Sequence, residues 1–172
     1  MRAFLRTRKR GAESCKVAVV GLDEVGRGAL AGPVMVGACA LVFSAGADGS
    51  VMPPELPSGI RDSKLVSAKK RERLFDVLSS PEWTGAVGNA SAAEIDDAGI
   101  VTALGRAAAR AWDIVVPRLE ADGVLVVAGI LDGNMDYLGP ALKPDARDIP
   151  IDVRVKGDQN CMSVALSLIH IS

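Results

Sequence analysis

Four acidic residues, Asp23, Glu24, Asp132 and Asp158, each stand at the end of an apolar run or just past it. CKVAVVGL leads into Asp23 and Glu24, VLVVAGIL leads into Asp132, and a short run from Ile151 to Val155 precedes Lys156-Gly157-Asp158. Carboxylates gathered at strand ends repel one another unless a cation neutralises them. Hard divalent ions, Mg²⁺ or Mn²⁺, prefer such oxygen donors. Two of them ~3.5–4 Å apart can clamp the attacking and leaving oxygens of a phosphodiester, a chemistry that needs several carboxylates and no histidine. The competing reading is that these acids only cap turns, as an Asp before a Gly very often does at a position such as Asp132. On the residues alone both readings stay open. Asp23 and Glu24 also pose a geometric problem, because neighbours in a regular strand point to opposite faces. Both reach one site only if the strand ends or bulges there, for which Gly26 offers a means.

Gly26-Arg27-Gly28 follows the first pair. Glycine admits close backbone approach, and Arg can grip a phosphate through two hydrogen bonds. A tight turn is the plainer account. Further on, Asp62-Ser63-Lys64 precedes a basic segment, and Lys64 could meet a phosphate. Other chemistries lack their residues. Neither GxGxxG nor GxxxxGK[ST] occurs, so a nucleotide cradle is excluded. The one histidine is His170, and no GxSxG occurs, so a Ser-His-Asp hydrolase is improbable. Cys15, Cys39 and Cys161 are too scattered for a disulfide framework or a zinc site and suit a reducing cytoplasm. Tyr137 and Trp83 are too few for a base-stacking platform.

The elements that must position these residues follow from periodicity. Cys15–Leu22 and Val34–Phe43 read as antiparallel strands, and residues 44–59, rich in Gly, Pro and Ser, as a loop. Ser67 is placed to cap a helix over 68–79, residues 83–90 form a candidate strand, and Ser91-Ala-Ala-Glu94 has capping-box spacing. Apolar residues recur at helical intervals from Ile100 to Ala121. Strands over 124–131 and 151–155 and a helix from about Ser163 complete an α/β order with a mixed sheet. With 172 residues, 49% hydrophobic and 24% charged, the chain is one ordinary globular domain rather than a disordered one. No apolar run reaches the ~18 residues of a membrane span, and MRAFLRTRKRG lacks the apolar stretch of a secretory signal. Residues 1–14 are expected to be a flexible basic tail. Residues 1–73 hold 13 Lys/Arg and 7 Asp/Glu, whereas residues 74–172 hold 7 and 14. A basic half could face a polyanion, and solvated surfaces account for it equally simply.

At this point the motifs become recognisable. Gly21 to Pro33 (GLDEVGRGALAGP) resembles the signature of the ribonuclease HII family. Arg61 to Leu65 (RDSKL), Ile130 to Asn134 (ILDGN) and Val155 to Asp158 (VKGD) resemble its later motifs, in order. The resemblance implies an RNase H-like mixed β-sheet flanked by helices over residues 15–172. It also implies a cytoplasmic, monomeric endoribonuclease acting on RNA–DNA hybrids and on DNA containing ribonucleotides. The family's metal-binding, catalytic carboxylates fall on Asp23, Glu24, Asp132 and Asp158. Its ribonucleotide-contacting Gly-Arg-Gly falls on Gly26, Arg27 and Gly28, and Ser63, Lys64 and Lys156 are expected to join the substrate contacts. The implied reaction is attack by a metal-activated water, leaving 5′-phosphate and 3′-hydroxyl ends. After Ala165 the sequence leaves the family pattern. The expectation is therefore a fragment lacking C-terminal helices, with a non-native 166–172. Two alternatives remain: an impaired nucleic-acid-binding piece, or a related ribonuclease HIII-like nuclease.

Overall fold

The computed structural model describes residues 15–29, 31–46, 48, 50–54, 83–157 and 161–171. The tail 1–14, the helix expected over 68–79, and Ser63, Lys64 and Asp158 lie outside them. Among the described residues the elements are β1 (Cys15–Val25), β2 (Val34–Ala45), β3 (Val51–Met52), β4 (Gly85–Ala90), α1 (Ala92–Ala98), α2 (Ile100–Ala121), β5 (Val124–Asp132), β6 (Ile151–Arg154) and α3 (Met162–Ile171). Two 3₁₀ turns, Gly139–Ala141 and Pro144–Ala146, lie between β5 and β6.

The strands form one mixed sheet in the order β3-β2-β1-β5-β6, with β4 also paired to β2. β1 and β2 are antiparallel, as the two adjacent apolar runs predict, and β1–β5 and β5–β6 are parallel. The sequence reading misses one strand, stops the first one short, and sets the ends of four others off by one or two residues. β3 falls in the stretch read as loop. β1 runs on through Asp23 and Glu24 to Val25, because β2 supplies ladder partners as far as Met35. Asp and Glu are poor strand formers, but continued pairing overrides that weak preference.

Both faces of the sheet are covered. On one, Ala18, Val20 and Leu22 of β1 pack in the main core with Leu104, Ala108, Trp112 and Val115 of α2. A fully buried Leu or Val contributes ~1.5–3 kcal/mol, so this apolar stripe anchors α2 more firmly than helix propensity does. On the other face, Cys39 and Leu41 of β2 pack with Leu166 of α3. Gly21 makes that second layer close, since a Cβ there would lie 2.6 Å from Ser163 Cβ and still nearer the Ser163 backbone. The capping box forms as its spacing predicts: the Glu94 N–H donates to Ser91 Oγ (3.3 Å), and the Ser91 N–H donates to Glu94 Oε2 (3.0 Å). Among the described residues no helix is long and apolar enough to cross a membrane.

Candidate active site at the carboxyl ends of the central strands

In the parallel β1–β5 pair, Leu22 lies opposite Leu131. Both belong to the α2 side of the sheet, within the main core. The next residue on each strand therefore points to the other face. These residues are Asp23 and Asp132, which stand side by side on strands about 4.8 Å apart. Asp23 is only 5% exposed. Two acids in that relation, one of them buried, raise each other's electrostatic cost unless a positive charge joins them.

Glu24 takes the opposite face. The β1–β2 register is unbroken from Cys15 to Val25, so no bulge turns Glu24 toward Asp23. The one irregularity of β1 lies earlier, between Ala18 and Val19 in its pairing with β5. The bulge that would bring both acids to one face is thus absent, and Glu24 approaches from the α2 side near the strand end. Its Oε2 accepts a hydrogen bond from the Tyr137 hydroxyl at 2.9 Å, and its Oε1 faces Arg27 Nη1 at 3.5 Å. The backbone N–H of Glu24 donates to Asp23 Oδ1 at 2.7 Å, which ties the two acids together through the main chain.

Tyr137 lies within the field of all three acids. Its phenol is held far above its ordinary value, first by burial and then by the negative charges of Glu24, Asp23 and Asp132. It therefore remains a hydrogen-bond donor throughout the working pH range. Sequence reasoning considered Tyr137 only as a stacking ring and missed this role. The available signal was its place five residues after Asp132, in a loop that must cross the strand ends.

Two turns complete the site. Gly26 has φ +92°, and a Cβ there would lie 2.8 Å from the Pro33 carbonyl oxygen, so the turn after β1 requires glycine. The Ala29 N–H closes it on the Gly26 carbonyl at 3.0 Å, leaving Arg27 and Gly28 exposed. On the other side, the Gly157 N–H donates to Asp132 Oδ1 at 2.7 Å, and the Gly133 N–H donates to the Arg154 carbonyl at 3.1 Å. Lys156, exposed and in the left-handed region at φ 58°, lies in the turn leading to Gly157.

The structure thus brings together Asp23, Glu24, Asp132, Arg27 and the turn carrying Lys156. All-oxygen donors around a like-charge pair, one buried and one half-exposed, match the preference of a hard divalent cation. Among the described residues no three His, Cys, Asp or Glu side chains are arranged as a finished ligand group. The fourth acid that the resemblance names, Asp158, follows Gly157 in sequence and lies outside the described residues.

The fold is shared with RNase H-type nucleases. Ribonuclease HII of Archaeoglobus fulgidus, solved in complex with PCNA, superposes with a TM-score of 0.59 at 19% identity, covering 89% of this chain and 70% of that one. Bst-RNase HIII, solved in complex with Mn²⁺, gives 0.66 at 20% identity, covering 90% and 50%. At that identity the likeness establishes the fold alone. Sequence comparison is more specific. The ribonuclease HII family profile matches residues 20–169. The ribonuclease HII of Streptomyces griseus is 46% identical over 149 residues, covering 86% of this chain and 52% of the relative. That of Paracoccus denitrificans is 39% identical over 152 residues, covering 88% and 60%. The chain belongs to the ribonuclease HII family, and it spans about half the length of the curated relatives it matches.

Proposed function

We propose that this chain carries the catalytic carboxylates of an endoribonuclease that hydrolyses the RNA strand of RNA–DNA hybrids and nicks DNA on the 5′ side of embedded ribonucleotides. The observation that carries the reading is the side-by-side placement of Asp23 and Asp132 at the carboxyl ends of parallel β1 and β5, where open α/β sheets build their sites. Asp23, Glu24 and Asp132, with Asp158, are the residues that would hold Mg²⁺ or Mn²⁺. When bound, the metal supplies an activated water and stabilises charge on the phosphodiester.

The chain's own residues do the rest. The exposed Gly26-Arg27-Gly28 turn sits beside Glu24, and Gly28 has open space around it. A sugar edge can therefore approach the backbone there while Arg27 meets a phosphate. The 2′-hydroxyl is the group that separates RNA from DNA locally, and a backbone turn at this height can donate to it or accept from it. Lys156 adds a positive charge on the other flank, and Ser63 and Lys64 are assigned to the same substrate contact. The protein is taken to act in the cytoplasm as a monomer.

The test is cleavage of a duplex carrying one ribonucleotide, with Mg²⁺ or Mn²⁺, beside a long RNA–DNA hybrid. Nicking at the ribonucleotide that disappears in Asp23→Asn supports the reading. Full activity in Asp23→Asn removes it. Salt-sensitive binding with no nicking in either metal would instead assign the chain a binding role. Cleavage of the long hybrid alone would favour a ribonuclease HIII-like specificity.

A further inference from the structure

We infer that Tyr137 is a positioning residue for Glu24: its buried hydroxyl sets the carboxylate orientation from which Glu24 takes up a divalent cation. This rests on the metal-site reading given above and adds a residue to it. Tyr137 and Glu24 lie 113 positions apart, so their hydrogen bond exists only through the fold. Both ends of that contact are anchored. Glu24 is fixed by the β1–β2 ladder.

Tyr137 is fixed by its own loop. Asp136 Oδ1 accepts the N–H groups of Leu138 (3.0 Å) and Gly139 (2.7 Å), which turns the chain just after the tyrosine. The Tyr137 carbonyl lies against Gly105 of α2, where a Cβ would come within 2.5 Å of it. The ring is 4% exposed, so the phenol has little freedom to leave Glu24. By contrast, the second contact of Glu24, Arg27, is exposed and longer at 3.5 Å. The rigid contact is therefore Tyr137. Outer hydrogen bonds of this kind orient metal-binding carboxylates, and their loss typically weakens metal affinity by about 10–100-fold.

The experiment compares Mn²⁺ binding, followed by electron paramagnetic resonance of the free ion, in the full chain and in Tyr137→Phe, each alone and combined with Glu24→Gln. Thermal unfolding in EDTA is recorded on the same samples. The expected result is about a tenfold rise in the Mn²⁺ Kd for Tyr137→Phe, with its unfolding retained, and no further rise when Glu24→Gln is already present. Equal Mn²⁺ affinity in Tyr137→Phe, or the same loss in the Glu24→Gln background, overturns the inference while leaving the metal site standing. A wild-type chain that binds no Mn²⁺ removes the metal reading and this inference with it.

A measurement without any Tyr137 variant reads the same link. Tyr137 is the one tyrosine in the sequence, so ¹³C-tyrosine labelling gives a single ring signal. That signal should move when Mg²⁺ saturates the wild-type chain and stay still in Glu24→Gln. A wild-type signal unmoved by saturating Mg²⁺ counts against the inference.

Discussion

Asp23 and Asp132 are neighbours because Leu22 and Leu131 are paired: the hydrophobic register of the core sets the spacing of the acids one residue further on. Like charges on adjacent strands repel, and the apolar burial of the residues before them holds the two strands in register. Asp132→Asn removes one charge while its amide oxygen still accepts the Gly157 N–H. Like charges directly across a strand pair cost ~0.2–1 kcal/mol. In EDTA the variant should therefore unfold higher than the wild type by up to about 4 °C. Its cleavage of a ribonucleotide-containing duplex should fall by about 10²–10⁴-fold, since a metal site contributes several kcal/mol. Scanning calorimetry and single-turnover cleavage check the pair of effects. A lower midpoint in EDTA, or undiminished cleavage, would break the link between the repulsion and the site.

Gly21 and Gly28 belong to the same motif but answer to different demands. Added at Gly21, a methyl group would collide with the Ser163 backbone and push α3 from the sheet, an overpacking cost of ~1–3 kcal/mol or more. Gly28 has nothing within 4 Å of its Cβ direction, so Gly28→Ala should leave stability within about 0.5 kcal/mol. If the backbone there admits the ribose, Gly28→Ala should raise KM for the ribonucleotide duplex with little change in folding. Urea unfolding separates the two variants. Equal stability losses would mean that the motif is purely structural.

The legible parts of this protein are those whose periodicity is set by one dominant contact. β1 and β5 show as apolar, β-branched runs because they lie inside the sheet with a strand on either side, and α2 shows its stripe because one side packs on the sheet. The capping box at Ser91 and Glu94 is legible because it is local, closing within three residues. β3 escaped because Val51–Met52 is two residues long in a Gly- and Pro-rich stretch, too short for any period. The course of β1 through Glu24 was hidden because it depends on β2, not on the residues themselves. For the site, the acids were visible as types at strand ends, but the faces they occupy required the register. The Tyr137–Glu24 bond has no sequence signature at all, since it joins an aperiodic loop to a strand across 113 positions.

Cysteine reactivity follows from the two layers. Cys39 is fully buried beside Leu166, and burial pushes its thiol up to about 12. The thiolate is the reactive form, so Cys39 should be inert at pH 8 in the folded chain. Cys15 and Cys161 are partly exposed. A colorimetric thiol titration should give two accessible thiols, with the third appearing only in denaturant. Three accessible thiols in buffer would show that α3 does not hold its place over β2.

The last consequence concerns acid. Glu94 is gripped by Arg110, whose Nη2 lies 2.7 Å from Oε1, and by the Ser91 N–H. The Arg110 hydrogen bond above all, then the Ser91 backbone, lowers its carboxyl from 4.5 to about 2. A group whose folded value is depressed contributes stability above its unfolded value and loses it as the pH falls through the folded one. The contribution of Glu94 should thus be complete above about pH 5 and fade between there and pH 2. Because the pair is exposed, salt must weaken it. Glu94→Gln should flatten that stretch of the stability-versus-pH curve. The flattening should shrink in 1 M NaCl, where the screening length is about 3 Å. Urea midpoints measured from pH 2 to pH 6 at low and high salt provide the check. If the wild-type and Glu94→Gln curves stay parallel over that range at low salt, the Arg110 grip contributes nothing to folding, and α1 is held by its cap and its packing alone.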